Sequence, residues 1–171
     1  MARRRDTMDG RRIVVGVDGK AASAAAVRWA VREARIRQVT VHLVRAVHHD
    51  PRLRAPYAPH AGTPDQAECA TAGRADLDAA VVFARRRLPP GRLVAELAEE
   101  LPARALLNRA VGAEMLVLGG TPREGEPPSP LGPVVRTCLR NAPCPVVVVT
   151  AGSARGPVQT RPVPRYLVPQ P

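Results

Sequence analysis

Short apolar runs alternate with stretches of helical periodicity along most of this chain. The first run begins at Ile13 and ends in a turn that contains Gly16, Asp18 and Gly19. Further strand-like runs cover 39–47, 92–98, 115–118 and 146–149. Helical patterns follow the first turn, cover 65–88, open at Pro102 and extend from 132 to Asn141. Five strands alternating with four helices predict right-handed crossovers and a mostly parallel, doubly wound α/β sheet.

Apolar positions within the helices indicate which faces pack on the sheet. The first helix carries an apolar face with Val27, Val31 and Ala34 and a basic face with Arg28, Arg32 and Arg35. We interpret the arginine stripe as a solvated outer face, although a binding face is the alternative. The short helix from Pro102 is expected to turn Leu106, Leu107, Ala110 and Val111 inward, with Gly112 capping its end.

The turn after the first strand is the first candidate site. In a parallel sheet such a turn lies at the carboxyl end of its strand, where backbone N–H groups and a helix dipole can meet an anion. An aspartate between glycines is also a common turn former, and we favour that role for Asp18. Lys20 follows directly, where it either contacts an anion or is solvated.

Charge and composition narrow the classes of partner. The formal charge is +11 over 171 residues. More than half of it falls in segments 1–12 and 151–171, which hold eight arginines and two aspartates. The composition resembles a GC-rich coding bias more than selection for phosphate. Only Trp29, Tyr57, Phe83 and Tyr166 are aromatic, too few for a base-stacking platform. We therefore expect no specific nucleic-acid partner, and arginine tails binding nucleic acid remain an alternative.

Other features favour a cytoplasmic protein without metal. Cys69, Cys138 and Cys144 form neither a CxxC pair nor an even disulfide set, as is typical of a reducing compartment. No segment resembles a signal peptide or a membrane span, and Met1 or Met8 could start the chain. The group His48, His49, Asp50 and His60 is better explained as surface loop than as a metal site. Segments 1–11 and 151–171 are predicted to be disordered tails around a 12–150 domain.

Several motifs, in order, resemble one known family. IVVGVDGKAASAAAVRWA, VTVHLVRAV, LPARALLNRA, AEMLVLGG and LGPVVRTCLRNAPCPVVVV are similar to segments of the universal stress protein family. The resemblance covers about residues 12 to 150. It implies a Rossmann-like sheet of order 3-2-1-4-5, a cytoplasmic dimer, and a stress-linked role without established catalysis.

Part of that family binds ATP or AMP through a loop of pattern G-x2-G-x9-G-[ST] after the fourth strand. Gly119 and Gly132 match its first and third glycines, while Pro122 and Pro133 replace the second glycine and the hydroxyl residue. Proline has no N–H and restricts φ, so the donors for a phosphate are lost. Glu124 and Glu126 add negative charge to the same loop. The resemblance also places Gly16 and Ala46 at the adenine pocket and Asp18 near the ribose and phosphates.

The leading hypothesis is a non-enzymatic stress protein that acts through protein contacts, without a cofactor or firm ATP binding. The alternative is a sensor that still binds ATP or AMP in a crevice between the first and fourth strands. An enzyme is disfavoured, since the sequence shows no nucleophile and base pair and no paired carboxylates at a loop. The fifth strand is expected to be an uncharged edge that pairs with a second copy through Val146, Val147, Val148 and Val149.

Overall fold

The described helices pack against a single sheet of five parallel strands. A computed structural model describes residues 11–48, 66–120 and 131–150. The strands are β1 (Arg12–Gly16), β2 (Thr40–Ala46), β3 (Leu93–Ala98), β4 (Met115–Gly120) and β5 (Val146–Thr150). They lie in the order β3-β2-β1-β4-β5. In the register of the sheet, Ile13 of β1 is paired with Val41 of β2 on one side and with Met115 of β4 on the other. The predicted parallel, doubly wound sheet of order 3-2-1-4-5 is confirmed.

Four helices cover the two faces of this sheet. They are α1 (Ala21–Arg37), α2 (Gln66–Arg85), α3 (Pro102–Ala110) and α4 (Pro133–Asn141). One core layer packs α1 and α2 against Ile13, Val15, Leu43 and Val117. The other joins residues of α3 and α4 with Val14, Val44, Leu116 and Leu118. Because alternate strand residues serve opposite layers, the central strands are apolar almost throughout.

The first helix confirms the prediction of its two faces. Val27, Val31 and Ala34 are buried, while the arginines at 28, 32 and 35 are exposed. The predicted helix 65–88 ends at Arg85 in the structure, and Leu88 stays buried after it. In β3, the alternating residues Leu93, Ala95 and Leu97 lie on one face of the strand. The two leucines are half-buried, but Ala95 is exposed.

The end of α3 corrects one prediction. Leu106 and Ala110 are buried as expected and Leu107 is half-buried, but Val111 is 62% exposed. The helix ends at Ala110, and Val111 takes an extended conformation with φ −61° and ψ 120°. Its side chain therefore leaves the helical period and points away from the core. Its carbonyl accepts a hydrogen bond of 2.7 Å from Arg12 Nη2, and Gly112 follows in the left-handed region.

An ion-pair group, which we call the Arg109 cluster, attaches α3 to the β2–β3 edge. It consists of His42, Glu96, Glu100 and Arg109. Arg109 Nη2 donates to Glu96 Oε1, and Arg109 Nη1 donates to Glu100 Oε1 at 2.5 Å. The hydrogen bonds from Arg109 hold the pKa of both carboxyls below the usual value. Burial of the His42 ring lowers its pKa and outweighs the opposing effect of Glu96.

We expect the Arg109 cluster to lower the stability of the folded domain at acidic pH. A base whose pKa is lower in the folded chain binds a proton more readily when unfolded, so stability falls as the pH drops below about 6.5, the ordinary histidine value. The lowered pKa of Glu96 acts in the same direction at lower pH. In urea unfolding curves, His42→Gln should reduce the change in the free energy of unfolding between pH 7 and pH 5. His48→Gln, at an exposed position, is the control and should leave it unchanged.

Some predictions fall on segments outside the described residues. These are the tails except Arg11, together with His49, Asp50 and His60. Arg11, the last residue of the predicted basic tail, is described, and its Nε donates to Glu114 Oε1 at 2.6 Å. Among the residues that the structure describes, no helix combines the length and the apolar character of a membrane span.

Candidate functional site

The turn between β1 and α1 is held by its own side chains. The N–H of Lys20 donates to Asp18 Oδ1 at 3.0 Å, which closes a small ring over the turn. The N–H of Asp18 donates to Ser23 Oγ at 3.1 Å, and Ser23 Oγ donates to the Gly16 carbonyl at 3.4 Å. The turn role favoured for Asp18 is therefore observed. Its carboxylate is about half exposed, with 51% of the side chain accessible.

A cavity of about 170 Å³ opens beside this turn at the carboxyl edge of the sheet. Four of the five predicted nucleotide-site residues line it, namely Gly16, Asp18, Ala46 and Gly119. Its other walls are mostly apolar and include Val44, Leu106, Leu118 and Val135. It lies where β1 is flanked by β2 and β4, at the switch point of the strand order, which is the usual ligand crevice of such sheets. The cavity is smaller than the ~300–1,000 Å³ common for ligand pockets.

Two glycines in this wall lie close to neighbouring atoms, and packing requires glycine at one of them. A Cβ on Gly119 would lie 2.5 Å from Ala22 C and 2.5 Å from Ser23 N, both backbone atoms of α1. A Cβ on Gly16 would lie 2.9 Å from Leu118 Cδ2. Glycine at 119 lets β4 and α1 approach closely, whether or not a ligand enters, whereas the contact at Gly16 is with the end of a leucine side chain.

Gly132, the fifth predicted nucleotide-site residue, does not line the cavity. It is the residue before α4, with φ −54° and ψ 163°, and a Cβ there would have no neighbour within 4 Å. Pro133 is the first residue of α4, and no side chain caps that helix. The first turn of α4 reaches the cavity through Val134 and Val135. Pro122, Glu124 and Glu126 lie outside the described residues.

Sequence reasoning missed two polar residues of this wall. Ser23 is only 4% exposed and is the sole hydroxyl residue of α1, which was the available signal. Arg45 is a charge within a strand that is otherwise largely buried. It pairs with Asp76 of α2 at 3.2 Å, and its Nη1 donates to the Ala46 carbonyl at 3.1 Å. That pairing crosses from β2 to α2, so the strand pattern alone could not indicate it.

The described walls of the cavity are mostly apolar side chains and backbone groups. Among the described residues, Asp18 and Arg45 are the titratable ones that line it. Within the described ranges, no three histidine, cysteine or acidic side chains gather as metal ligands. The three cysteines are free thiols, and burial raises the pKa of Cys138 to about 11. A thiol with a raised pKa is a poor nucleophile near neutral pH.

Fold and crevice together define a class of protein. A parallel sheet of order 3-2-1-4-5 with a cavity at its switch point is a Rossmann-like α/β domain. A model of the universal stress protein family matches residues 10–150. The chain belongs to the universal stress protein family.

Relatives and solved structures agree with this assignment. The chain is 30% identical over 146 residues to a universal stress protein of Mycobacterium bovis, a match covering 83% of the chain and 48% of the relative. It is 32% identical over 142 residues to one of Mycobacterium tuberculosis, covering 80% and 46%. The chain thus spans about half the length of these relatives. The fold is similar to the universal stress protein of Archaeoglobus fulgidus solved with dAMP, with TM-score 0.59, 24% identity, and coverage of 81% and 97%.

Proposed function

We propose that this domain is a cytoplasmic, non-enzymatic stress-response protein that acts through protein contacts and does not hold ATP firmly. The observation that carries the proposal is the start of α4. Pro133 at its first position has no N–H to offer. A phosphate at a helix N-terminus depends on such backbone donors, and the nucleotide-loop pattern adds a hydroxyl residue at the position that Pro133 occupies. This helix lacks one donor and the hydroxyl.

The shape of the crevice supports the same proposal. Leu106 and Leu118 lie within the cavity wall, and the remaining space of about 170 Å³ is small for a nucleotide. Among the described residues, Arg45 is the one cation that lines the cavity, and it is already paired with Asp76. A triphosphate would therefore bring several negative charges to a described wall whose cation already has a partner, so its desolvation would be poorly compensated there.

A nucleotide sensor is the second candidate function. It is favoured by one observation, the convergence of Gly16, Asp18, Ala46 and Gly119 on a single cavity. A similar fold binds dAMP in the Archaeoglobus fulgidus protein. A monophosphate needs fewer donors than a triphosphate, so AMP is the better ligand for this alternative.

We expect ATP to bind with a dissociation constant above about 1 mM in isothermal titration calorimetry. Losing three charge-assisted hydrogen bonds, from two N–H donors and one hydroxyl, at ~1.5–3 kcal/mol each weakens a micromolar site about a thousandfold or more. Pro122→Gly with Pro133→Ser should raise the affinity. Pro90→Gly with Pro143→Ser makes the same chemical changes at positions outside the cavity wall and should not.

Three outcomes separate these functions. Micromolar ATP binding by the unmodified protein overturns the leading proposal. Tight AMP binding together with weak ATP binding favours the sensor. If Pro122→Gly with Pro133→Ser does not raise the ATP affinity, residues other than these two prolines cause the weak binding.

A homodimer through β5 completes the proposal. β5 is the last strand of the sheet, and among the described residues it pairs with β4 only. Its four valines are half-buried within one chain and carry no charge that would deter a second strand. Two copies related by a two-fold axis could satisfy the free backbone groups of both edges.

A further inference from the structure

A groove lies at the amino edge of the sheet, opposite the cavity, between the carboxyl ends of α1 and α2. Its volume is about 590 Å³. We call it the arginine groove, and its lining includes Arg35, Arg86, Arg87, Arg92, Val39 and Leu88. The turns that form it, after α1 and after α2, are both within the described residues. Its size is in the range that small molecules occupy.

Four guanidinium groups line this groove and, among the residues that the structure describes, no carboxylate does. Arg35, Arg86 and Arg92 make no side-chain hydrogen bond or ion pair with any described residue. By contrast, Arg74, Arg37, Arg45 and Arg109 each pair with an acid. Arg87 lies 3.9 Å over the Phe83 ring and donates to the Phe83 carbonyl at 3.1 Å.

Helix ends do not account for this concentration of charge. Cations are favourable at a helix C-terminus, which carries about −0.5 charge. Two such ends offset about one of four positive charges, leaving a surplus of about three. One carbonyl near each helix end is also occupied, since Ala34 O accepts from Val39 N at 3.1 Å and Ala84 O accepts from Leu88 N at 2.9 Å. The surplus charge therefore lacks a partner among the described residues.

We propose that the arginine groove binds a small compound that carries two or more phosphate groups. Guanidinium forks match phosphate oxygens in pairs, and several guanidiniums around one concavity favour several phosphates over one. Val39 and Leu88 form a buried apolar floor, which suits a compact ligand lying in the groove. Nucleic acid is the weaker fit. A concave groove does not match the convex backbone of a duplex, and Phe83, the nearby ring, is covered by Arg87 and so offers no stacking surface to a single strand.

The probe for this site is inorganic tripolyphosphate, because it has no base to enter the cavity at the opposite edge. Calorimetry at constant ionic strength should show binding to the full chain, while inorganic monophosphate should bind at least about tenfold more weakly. Arg86→Gln with Arg92→Gln should lower the tripolyphosphate affinity about tenfold or more. Arg136→Gln with Arg140→Gln removes the same charge from exposed positions of α4 and should change it less than about twofold.

The two variants make the result decisive. Equal losses in both would show attraction to net charge alone and overturn the proposal. A 16-base-pair DNA duplex that binds more tightly than tripolyphosphate at the same salt concentration would also overturn it, in favour of a nucleic-acid surface. The result does not depend on the ATP measurement, since the groove and the cavity share no residue.

Discussion

Gly119→Ala is expected to destabilise the domain by about 1–3 kcal/mol, and by more if α1 cannot move. The added Cβ would lie 2.5 Å from Ala22 C and Ser23 N. Both are backbone atoms in the first turn of α1, so no side-chain rotation relieves the overlap. The helix must shift away from β4, which also disturbs the hydrogen bonds from Ser23 to the Asp18 turn. Urea unfolding measured by circular dichroism gives the change in unfolding free energy.

Gly132→Ala is the matched control for this change. Both glycines match the same nucleotide-loop pattern, but a Cβ on Gly132 meets no atom within 4 Å, and its φ of −54° suits alanine. We expect a change of less than about 1 kcal/mol, with the loss of a good helix N-cap residue as the main cost. Equal destabilisation by the two substitutions would contradict the packing role assigned to Gly119.

These two glycines show what the sequence could and could not predict. The order of motifs placed both in one loop, because a pattern records residue type and spacing. It could not distinguish a glycine that lets two elements touch from one that faces open space, since that depends on the contact between β4 and α1. Four of five predicted residues do meet at the cavity, because the carboxyl ends of parallel strands share an edge.

Elements were predictable where one periodicity dominates. The central strands and the apolar face of α1 follow directly from burial on a parallel sheet. Val111 was placed wrongly because helical spacing was continued one residue past the last helical residue. The pairing of His42 with Glu96 joins residues 54 positions apart, so it depends on the register of β2 and β3. No local pattern in the chain contains that register.

The last prediction concerns assembly through the edge of β5. Val147→Lys should convert a dimer into monomers, weakening association at least about a hundredfold, because a lysine in this edge must lose its water when a second strand pairs with it. Val94→Lys is the control. Val94 lies on β3, the opposite edge of the sheet, and is 43% exposed, so the same charge there should leave the dimer intact.

Multi-angle light scattering after size exclusion, over micromolar concentrations, measures the effect directly. Because Val147 also packs against the α1 layer, circular dichroism must show that the variant remains folded. A folded monomer of Val147→Lys beside dimeric Val94→Lys is the expected pair of results. If the unmodified chain is a stable monomer across this range, the β5 edge does not mediate assembly and the dimer proposal is wrong. Such a monomer would leave four uncharged valines on an edge without a second copy, and residues following Thr150 would then be the next place to look for what covers them.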